Sequence, residues 1–295
     1  MLIRRSNLLV VVGDATDAWR HNADAITLSL AGIDTGDVVK EAIAVCGRGG
    51  AEIFVRADKA ELRRDLERSV SKGLRGVVLP QVDTPAEVAE AAAIITSLER
   101  ERGIAPGSLQ LVVLLATGRA VWDIRSIIAA SPRISQIGLN EAGLAKSLGI
   151  ALDPAIDPFV YARGRVVVEA IASRVSPIGM AYPLGALPRE APHAEVHKLA
   201  TNSKNLGFKG ALWPYPGWVA PVNAAYTPTP ELVTWNKRVR EAFAAGVAAG
   251  TAAVPLDGKM IDVPVDEWAI VVLEMAEACA KRDAEKAAAV QKLNR

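Results

Sequence analysis

The sequence predicts an α/β fold, a single (β/α)8 TIM barrel with an additional C-terminal helix. Three observations predict it. The chain has 295 residues, enough for the roughly 250 that eight strand–helix units need. Hydrophobic residues make up 51% of it, ample for a large buried core. Short apolar runs alternate with longer amphipathic stretches, and eight such runs occur. Strand, helix, strand in repetition implies parallel strands joined by right-handed crossovers. Eight units favour a closed barrel over an open sheet. No linker rich in Gly, Ser or Pro divides the chain, so residues 1–295 read as one domain with a C-terminal helical segment at about 264–295.

The eight runs are Leu8–Val12, Ala25–Leu30, Glu52–Val55, Gly76–Leu79, Leu109–Leu115, Ile134–Leu139, Val175–Gly179 and Gly210–Trp213. Most are Val, Ile and Leu without polar alternation, as strands covered on both faces are. Between them lie helices. Lys59–Lys72 sets Leu62, Leu66 and Val70 on one face and charges on the other. Thr84-Pro85-Ala86-Glu87 reads as an N-cap, a proline in the first turn and an acidic first turn; that helix stops at Gly103. Pro228-Thr229-Pro230-Glu231 opens another that reaches about Ala249. Asp266–Ala280 is the last apolar helix, and the charged tail after it reads as solvated. The Pro and Gly cluster Ala181–Pro192 reads as a long loop after the seventh strand.

The 34 basic and 33 acidic side chains nearly cancel. That balance gives no electrostatic ground for nucleic acid or an anionic membrane as a partner. No apolar run approaches the ~20 residues of a membrane span. The run Leu8–Val12 stops at Gly13-Asp14, too soon for the core of a secretion signal. The two cysteines, Cys46 and Cys279, lie in alanine-rich helical sequence and read as buried thiols. With no disulfide framework, a cytoplasmic location is expected.

In such barrels functional groups sit at the C-terminal strand ends. After strand one come Gly13 and Asp14. Strand two ends in Ser29-Leu30-Ala31-Gly32 and strand three in Arg56-Ala57-Asp58. Strand four supplies Pro80, Gln81 and Asp83; strand five Ala116, Thr117 and Gly118; strand six Asn140 and Glu141. Strand seven supplies Met180 and Tyr182, and strand eight Trp213, Tyr215 and Trp218. Arg56 stands out, because a guanidinium ending a buried strand needs an anionic partner. That partner is either a ligand carboxylate or one of Asp14, Asp58 and Glu141. The rings of Trp213, Tyr215 and Trp218 have two readings: an apolar wall for the mouth, or packing in a subunit interface.

Other signals are weaker. His193 and His197 stand four apart, but the pair has no third ligand, so a helix surface is expected. Gly47-Arg48-Gly49-Gly50 precedes a strand rather than a helix N-terminus and reads as a turn. Lys209 is either a surface lysine or a contact for an acyl-CoA phosphate.

Taken in order, these segments resemble the citrate lyase beta-subunit-like branch of the HpcH/HpaI aldolase family. The carriers are RRSNLLVVVGD at Arg4–Asp14, NADAITLSL at Asn22–Leu30, IFVRAD at Ile53–Asp58 and GVVLPQV at Gly76–Val82. LVVLLATGRAVWDI at Leu111–Ile124, AGLAKSLG at Ala142–Gly149 and YARGRVVVEAIA at Tyr161–Ala172 follow. LGFKGALWPYPGWVAPVNAAYTPTPE at Leu206–Glu231 and LDGKMIDVP at Leu256–Pro264 complete the order. The resemblance implies a barrel, commonly a trimer, that cleaves or forms carbon–carbon bonds in acyl-CoA substrates and uses Mg²⁺ to stabilise an enolate. It places the metal ligands on a Glu ending strand five and an Asp after strand six; here those positions are Ala116 and Gly143. The acidic motif ending strand two reads Ser29-Leu30-Ala31-Gly32, and the lysine expected after the strand-four proline is Gln81. Asp58 stands for an Asn, and Leu212-Trp213-Pro214 for an Ile-His-Pro motif. Arg5, Arg56, Pro80 and Asn223 are retained.

Two functions follow as expectations. The first is a carbon–carbon lyase acting on a carboxylate or acyl-CoA thioester without the Mg²⁺ site or any other cofactor. Arg56 holds a substrate carboxylate, and Asp14, Asp58 or Glu141 acts as general base if burial raises its pKa. Gln81, Ser29 and Asn140 donate to a carbonyl oxygen in the metal's stead. Arg5, Trp213 and Tyr215 complete the substrate-binding set. The second is a catalytically inactive family member that binds a ligand or a partner subunit. A homo-oligomer, a trimer by resemblance, is expected in either case.

Overall fold

A computed structural model of the chain describes residues 3–33, 35–151, 157–179 and 187–293. All eight predicted strands form, and all are parallel. They are β1 (Ser6–Val11), β2 (Ala25–Ser29), β3 (Glu52–Arg56), β4 (Leu74–Val82), β5 (Gln110–Leu115), β6 (Ile134–Leu139), β7 (Ser176–Pro177) and β8 (Ala211–Trp213). Their order is β7-β6-β5-β4-β3-β2-β1-β8. The seam closes through the backbone: Lys209 N donates to Pro177 O and Gly179 N to Gly210 O, both at 2.9 Å. The curled sheet is thereby a (β/α)8 barrel. Its edges are abolished, so no strand is left with an open row of backbone donors.

The helices are α1 (Gly36–Gly47), α2 (Leu62–Ser69), α3 (Pro85–Glu101), α4 (Gly118–Trp122), α5 (Ile124–Ala129), α6 (Glu141–Leu148), α7 (Val160–Ala172), α8 (His193–Asn205), α9 (Val219–Tyr226), α10 (Pro230–Ala248) and α11 (Val263–Leu293). Thr84 is the N-cap of α3, as predicted, and the structure adds a capping box with Glu87. The stretch after β1, Val12–His21, winds as a 3-10 helix. The main core lies between the sheet and its helices, and a second cluster of Ala25, Phe54, Val78, Val112 and Ile178 fills the barrel itself. The N-terminal end is plugged by Arg4. Its guanidinium donates to Glu52 Oε2 at 2.7 Å, Gln136 Oε1 at 2.7 Å and Gln110 Oε1 at 3.0 Å, and stacks on Phe54.

The chain divides into two compact units. One is the barrel, Arg4–Tyr226 with Lys286–Arg295. The other is Met1–Ile3 with Thr227–Glu285, where α10 and the hairpin of β9 (Val254–Leu256) and β10 (Lys259–Ile261) pack around Val239, Ile261 and Ala269. The hairpin has only a weak sequence signal, three residues a side around Asp257-Gly258. Most residues of the charged tail are exposed, but Lys286 is not. α11 continues to Leu293, and Lys286 is buried, donating to Asp24 Oδ1 at 2.7 Å and Asn22 O at 2.9 Å. Alanine, Glu and Lys are good helix formers, so propensity carries the helix on. No helix among the described residues is long and apolar enough to cross a membrane.

Candidate active site at the C-terminal mouth of the barrel

Side chains alternate along a strand, so one face of each strand lines the barrel. Leu9, Thr27, Arg56, Val78, Leu114, Leu139, Ile178 and Leu212, one from or just after each strand, surround a cavity of about 410 Å³ that opens toward the C-terminal strand ends. Its wall is mainly apolar, with a few polar groups convergent upon it. Such a composition suits a small organic ligand.

Arg56 ends β3 in phase with Phe54, so its guanidinium enters the cavity while its neighbour Val55 packs outward. It is half-buried, and no hydrogen bond or ion pair to its side chain occurs among the described residues. It also borders a second, polar recess of about 270 Å³ formed with Ser29, Asp58, Arg64 and Arg68.

Across the cavity wall stands Glu141, the first residue of α6. Its Oε1 accepts from Arg163 Nε at 2.7 Å, while Oε2 has no hydrogen-bond partner among the described residues. Burial pushes the Glu141 carboxyl above its ordinary pKa, and Asp157 adds to the rise; Arg163 opposes both without cancelling them. Arg163 comes from α7, is 1% exposed, also bonds Asp157, and lies 5.7 Å from the centre of the Phe159 ring. Sequence reasoning missed Arg163. A signal was available: it is a charge on the stripe Phe159, Ala162, Val166 and Ala170 that α7 buries.

The structure brings together part of the predicted set. Asn140 lines the cavity as the N-cap of α6, with Oδ1 accepting from Gly143 N at 3.0 Å and Nδ2 donating to Pro80 O at 2.9 Å. Both ends of its amide therefore already bear on structure. Trp213 and Trp218 form one wall, their ring centres 6.4 Å apart. Tyr215 packs edge-on against Trp218 at 5.1 Å, and its carbonyl accepts from Trp213 Nε1 at 3.0 Å. Phe208 and Thr27, not singled out from sequence, also line the cavity.

Other predicted residues lie elsewhere. Arg5 is a correction. It precedes β1 at the N-terminal end, is buried, and donates from Nε and Nη2 to Asp24 at 2.8 and 2.9 Å. A side chain below the strands does not reach a mouth above them. Gln81 follows Pro80, which lines the cavity; alternation turns Gln81 outward, and it is exposed. Asp14 is exposed on the 3-10 helix after β1 and does not line the cavity. Ser29 and Asp58 border the second recess, where Asp58 Oδ1 caps its own loop by accepting from Ala60 N at 2.9 Å. Met180 and Tyr182 lie outside the described residues. His193 and His197 are exposed on α8, and Cys46 and Cys279 are buried; burial raises the Cys46 thiol to about 11.

Magnesium requires hard oxygen ligands in a near-octahedral array. The two positions that carry its ligands by resemblance are adjacent here: a Cβ on Gly143 would come 3.0 Å from Ala116 Cβ. Neither offers an oxygen from its side chain, and the carboxylate lining the cavity, Glu141, is bonded to a guanidinium. Among the described residues no three His, Cys, Asp or Glu side chains converge as a metal site. At these two positions the described side chains supply the ion with no ligand.

The comparisons with known proteins agree with this architecture. The citrate lyase beta subunit of Escherichia coli (strain K12) is 29% identical over 219 residues, covering 74% of this chain and 71% of its own. The L-malyl-CoA/beta-methylmalyl-CoA lyase of Cereibacter sphaeroides (strain ATCC 17025) is 26% identical over 232 residues, covering 72% and 70%. A citrate lyase structure from Burkholderia xenovorans LB400 shares the fold with a TM-score of 0.74 at 15% identity, over 97% of each chain. CitE from Mycobacterium tuberculosis, solved with magnesium, acetoacetate and coenzyme A, shares it with a TM-score of 0.66 at 20% identity, over 93% of this chain and 98% of that one. The profile of the HpcH/HpaI aldolase/citrate lyase family matches residues 33–214, and with the eight-stranded barrel and its mouth already in place, this chain belongs to that family.

Proposed function

We propose that the protein is a carbon–carbon lyase acting on a carboxylate or an acyl-CoA thioester, with a mouth that works without Mg²⁺. One observation carries the reading. Arg56, with no partner among the described residues, shares a cavity with Glu141, whose carboxyl burial has made a stronger proton acceptor. A free guanidinium in a largely apolar cavity is a receptor for a carboxylate. A carboxyl of raised pKa can serve as a general base.

In the retro-aldol direction, Glu141 Oε2 removes the proton of a β-hydroxyl. The oxygen's electrons form the carbonyl, the carbon–carbon bond breaks, and its electron pair becomes the enolate of the acyl fragment. Glu141 then returns the proton to the α-carbon. Arg163 keeps Glu141 in place and supplies the fixed positive charge beside the developing anion. Trp213 and Trp218 exclude water from that charge. The names of the relatives, citrate lyase beta subunit and malyl-CoA lyase, support the reaction class.

The test is melting temperature in the presence of small dicarboxylates and acyl-CoAs, with EDTA present throughout. A ligand that binds the folded state raises the midpoint. The expected result is a rise with at least one of them that Arg56→Ala abolishes, together with cleavage that Glu141→Gln slows by about 10²- to 10⁴-fold. Binding without cleavage of any of them identifies the catalytically inactive reading. No midpoint shift with any of them overturns the proposal.

A further inference from the structure

One side of the mouth presents carbon to whatever enters it. Trp213 and Trp218 line the cavity, with Phe208 and Ile178 buried beside them. An indole has one polar atom, its N–H. Trp213 Nε1 donates to Tyr215 O at 3.0 Å, and Trp218 Nε1 to Arg189 O at 3.1 Å. Both donors are engaged by main-chain carbonyls, so neither ring brings a free donor to the cavity. Gly179 makes room for the third ring: a Cβ there would come 3.0 Å from Phe208.

Most polar side chains of the cavity are already committed. Arg163 serves Glu141 and Asp157. Asn140 accepts from Gly143 N and donates to Pro80 O. Thr27 donates its hydroxyl proton to Asn7 Oδ1 at 2.8 Å, so toward the cavity it offers lone pairs and a methyl group. Glu141 keeps one oxygen for a proton. Arg56 is the cation of the lining with no partner among the described residues. The set matches one carboxylate and one hydroxyl. A second carboxylate would lose its water against leucine, isoleucine and tryptophan carbon with no side-chain donor in return, and it would share the cavity with the Glu141 carboxyl.

We infer that the fragment held by Arg56 is an α-keto acid whose side chain is a branched aliphatic or aromatic group lying against Phe208, Trp213 and Trp218. This rests on the lyase activity proposed for the mouth. Arg56 and Glu141 face one cavity, so the carbon whose hydroxyl Glu141 deprotonates also carries the carboxylate that Arg56 holds. Cleavage turns that carbon into a ketone and releases R–CO–COO⁻. The electron pair of the broken bond, and then the proton, go to the acyl fragment. The group R is left to the apolar wall. The cavity, about 410 Å³, is within the range of pockets that enclose whole small molecules, so a methyl group as R leaves much of that wall uncovered. Each further methylene buried there strengthens binding by about 4-fold.

Calorimetric titration of the full chain with pyruvate, α-ketobutyrate, α-ketoisocaproate and phenylpyruvate tests this, with oxaloacetate as the contrast. Oxaloacetate is α-ketoisocaproate with a carboxylate in place of the isopropyl group, so the two differ in charge and little in shape. Affinity is expected to rise about 4-fold per added methylene, and α-ketoisocaproate is expected to bind about 10-fold or more tightly than oxaloacetate. Arg56→Ala is expected to abolish binding of the whole series. Trp213→His is expected to shrink the preference for the apolar acid and Trp213→Phe to keep it; the melting temperature of each variant without ligand reports intact folding. Oxaloacetate binding as tightly as α-ketoisocaproate, or more tightly, overturns the inference and leaves the lyase reading standing. A preference that survives Arg56→Ala does the same. Absence of binding by every α-keto acid also overturns it, and the lyase reading falls with it only when acyl-CoAs shift no melting midpoint either.

Discussion

Arg163 Nε donates to Glu141 Oε1 at 2.7 Å, and the same guanidinium bonds Asp157. One buried cation therefore serves two carboxyl groups, only one of which opens on the cavity. The arrangement fixes Glu141 from one side and leaves its second oxygen for chemistry. It also determines how the site answers to pH and to substitution.

Burial raises the Glu141 pKa, so the folded protein holds that proton more tightly than the unfolded chain does. The resulting stability is complete below the ordinary glutamate range and is lost as pH rises through the folded value. Glu141→Gln does not titrate. Its stability relative to the wild type is expected to improve as pH climbs across that window. Urea denaturation at a series of pH values measures it, and a constant difference between the two proteins contradicts the assignment.

Arg163→Met leaves Glu141 and Asp157 facing each other without their cation. Removing one partner from a buried pair costs about 3–5 kcal/mol, and the Glu141 carboxyl is expected to titrate higher still. Arg163→Lys keeps the charge but loses the fork that reaches both acids. It is expected to recover part of the stability and little of any activity. Chemical denaturation together with a pH–rate profile separates the two effects.

Asp24 is the opposite electrostatic case. Burial alone would raise its pKa, but Arg5 and Lys286 overcome that and hold it below the ordinary aspartate value. Its contribution is therefore present above the unfolded pKa and lost as pH falls through the folded one. Asp24→Asn leaves Arg5 and Lys286 buried around an uncharged amide and is expected to cost about 3–5 kcal/mol at neutral pH. That cost should shrink in acid. Denaturation midpoints at neutral and acidic pH report it; an unchanged difference between the two contradicts it.

The closeness of Gly143 to Ala116 is measurable without any ligand. Helix propensity alone gives Gly143→Ala a gain of about 1 kcal/mol. Here the added methyl would meet Ala116 Cβ at 3.0 Å and the Asn140 amide at 3.3 Å, so the gain is expected to vanish. Ala116→Gly in the same chain should restore it, a coupling of about 1 kcal/mol in a double-mutant cycle. Calorimetric titration of the wild type with Mg²⁺ is expected to show no site at the mouth. Tight binding lost in Glu141→Ala would contradict that.

By itself the sequence determined the barrel. Parallel strands buried on both faces must be apolar throughout, and that continuity is legible from Leu8 to Trp213. It also determined which residues end strands, which placed Arg56, Glu141, Asn140 and Trp213 near the mouth. Tertiary structure decided which of those candidates share a cavity. Gln81 and Arg5 fell away, because strand phase and strand direction are properties of the assembled sheet. Only the fold brought Arg163 to Glu141, since the two lie 22 residues apart on different helices. Only the fold buried Lys286 against Asp24, which lies 262 residues before it. A chain of good helix formers reads the same from sequence whether its last turns are solvated or packed, because propensity is local and burial is not.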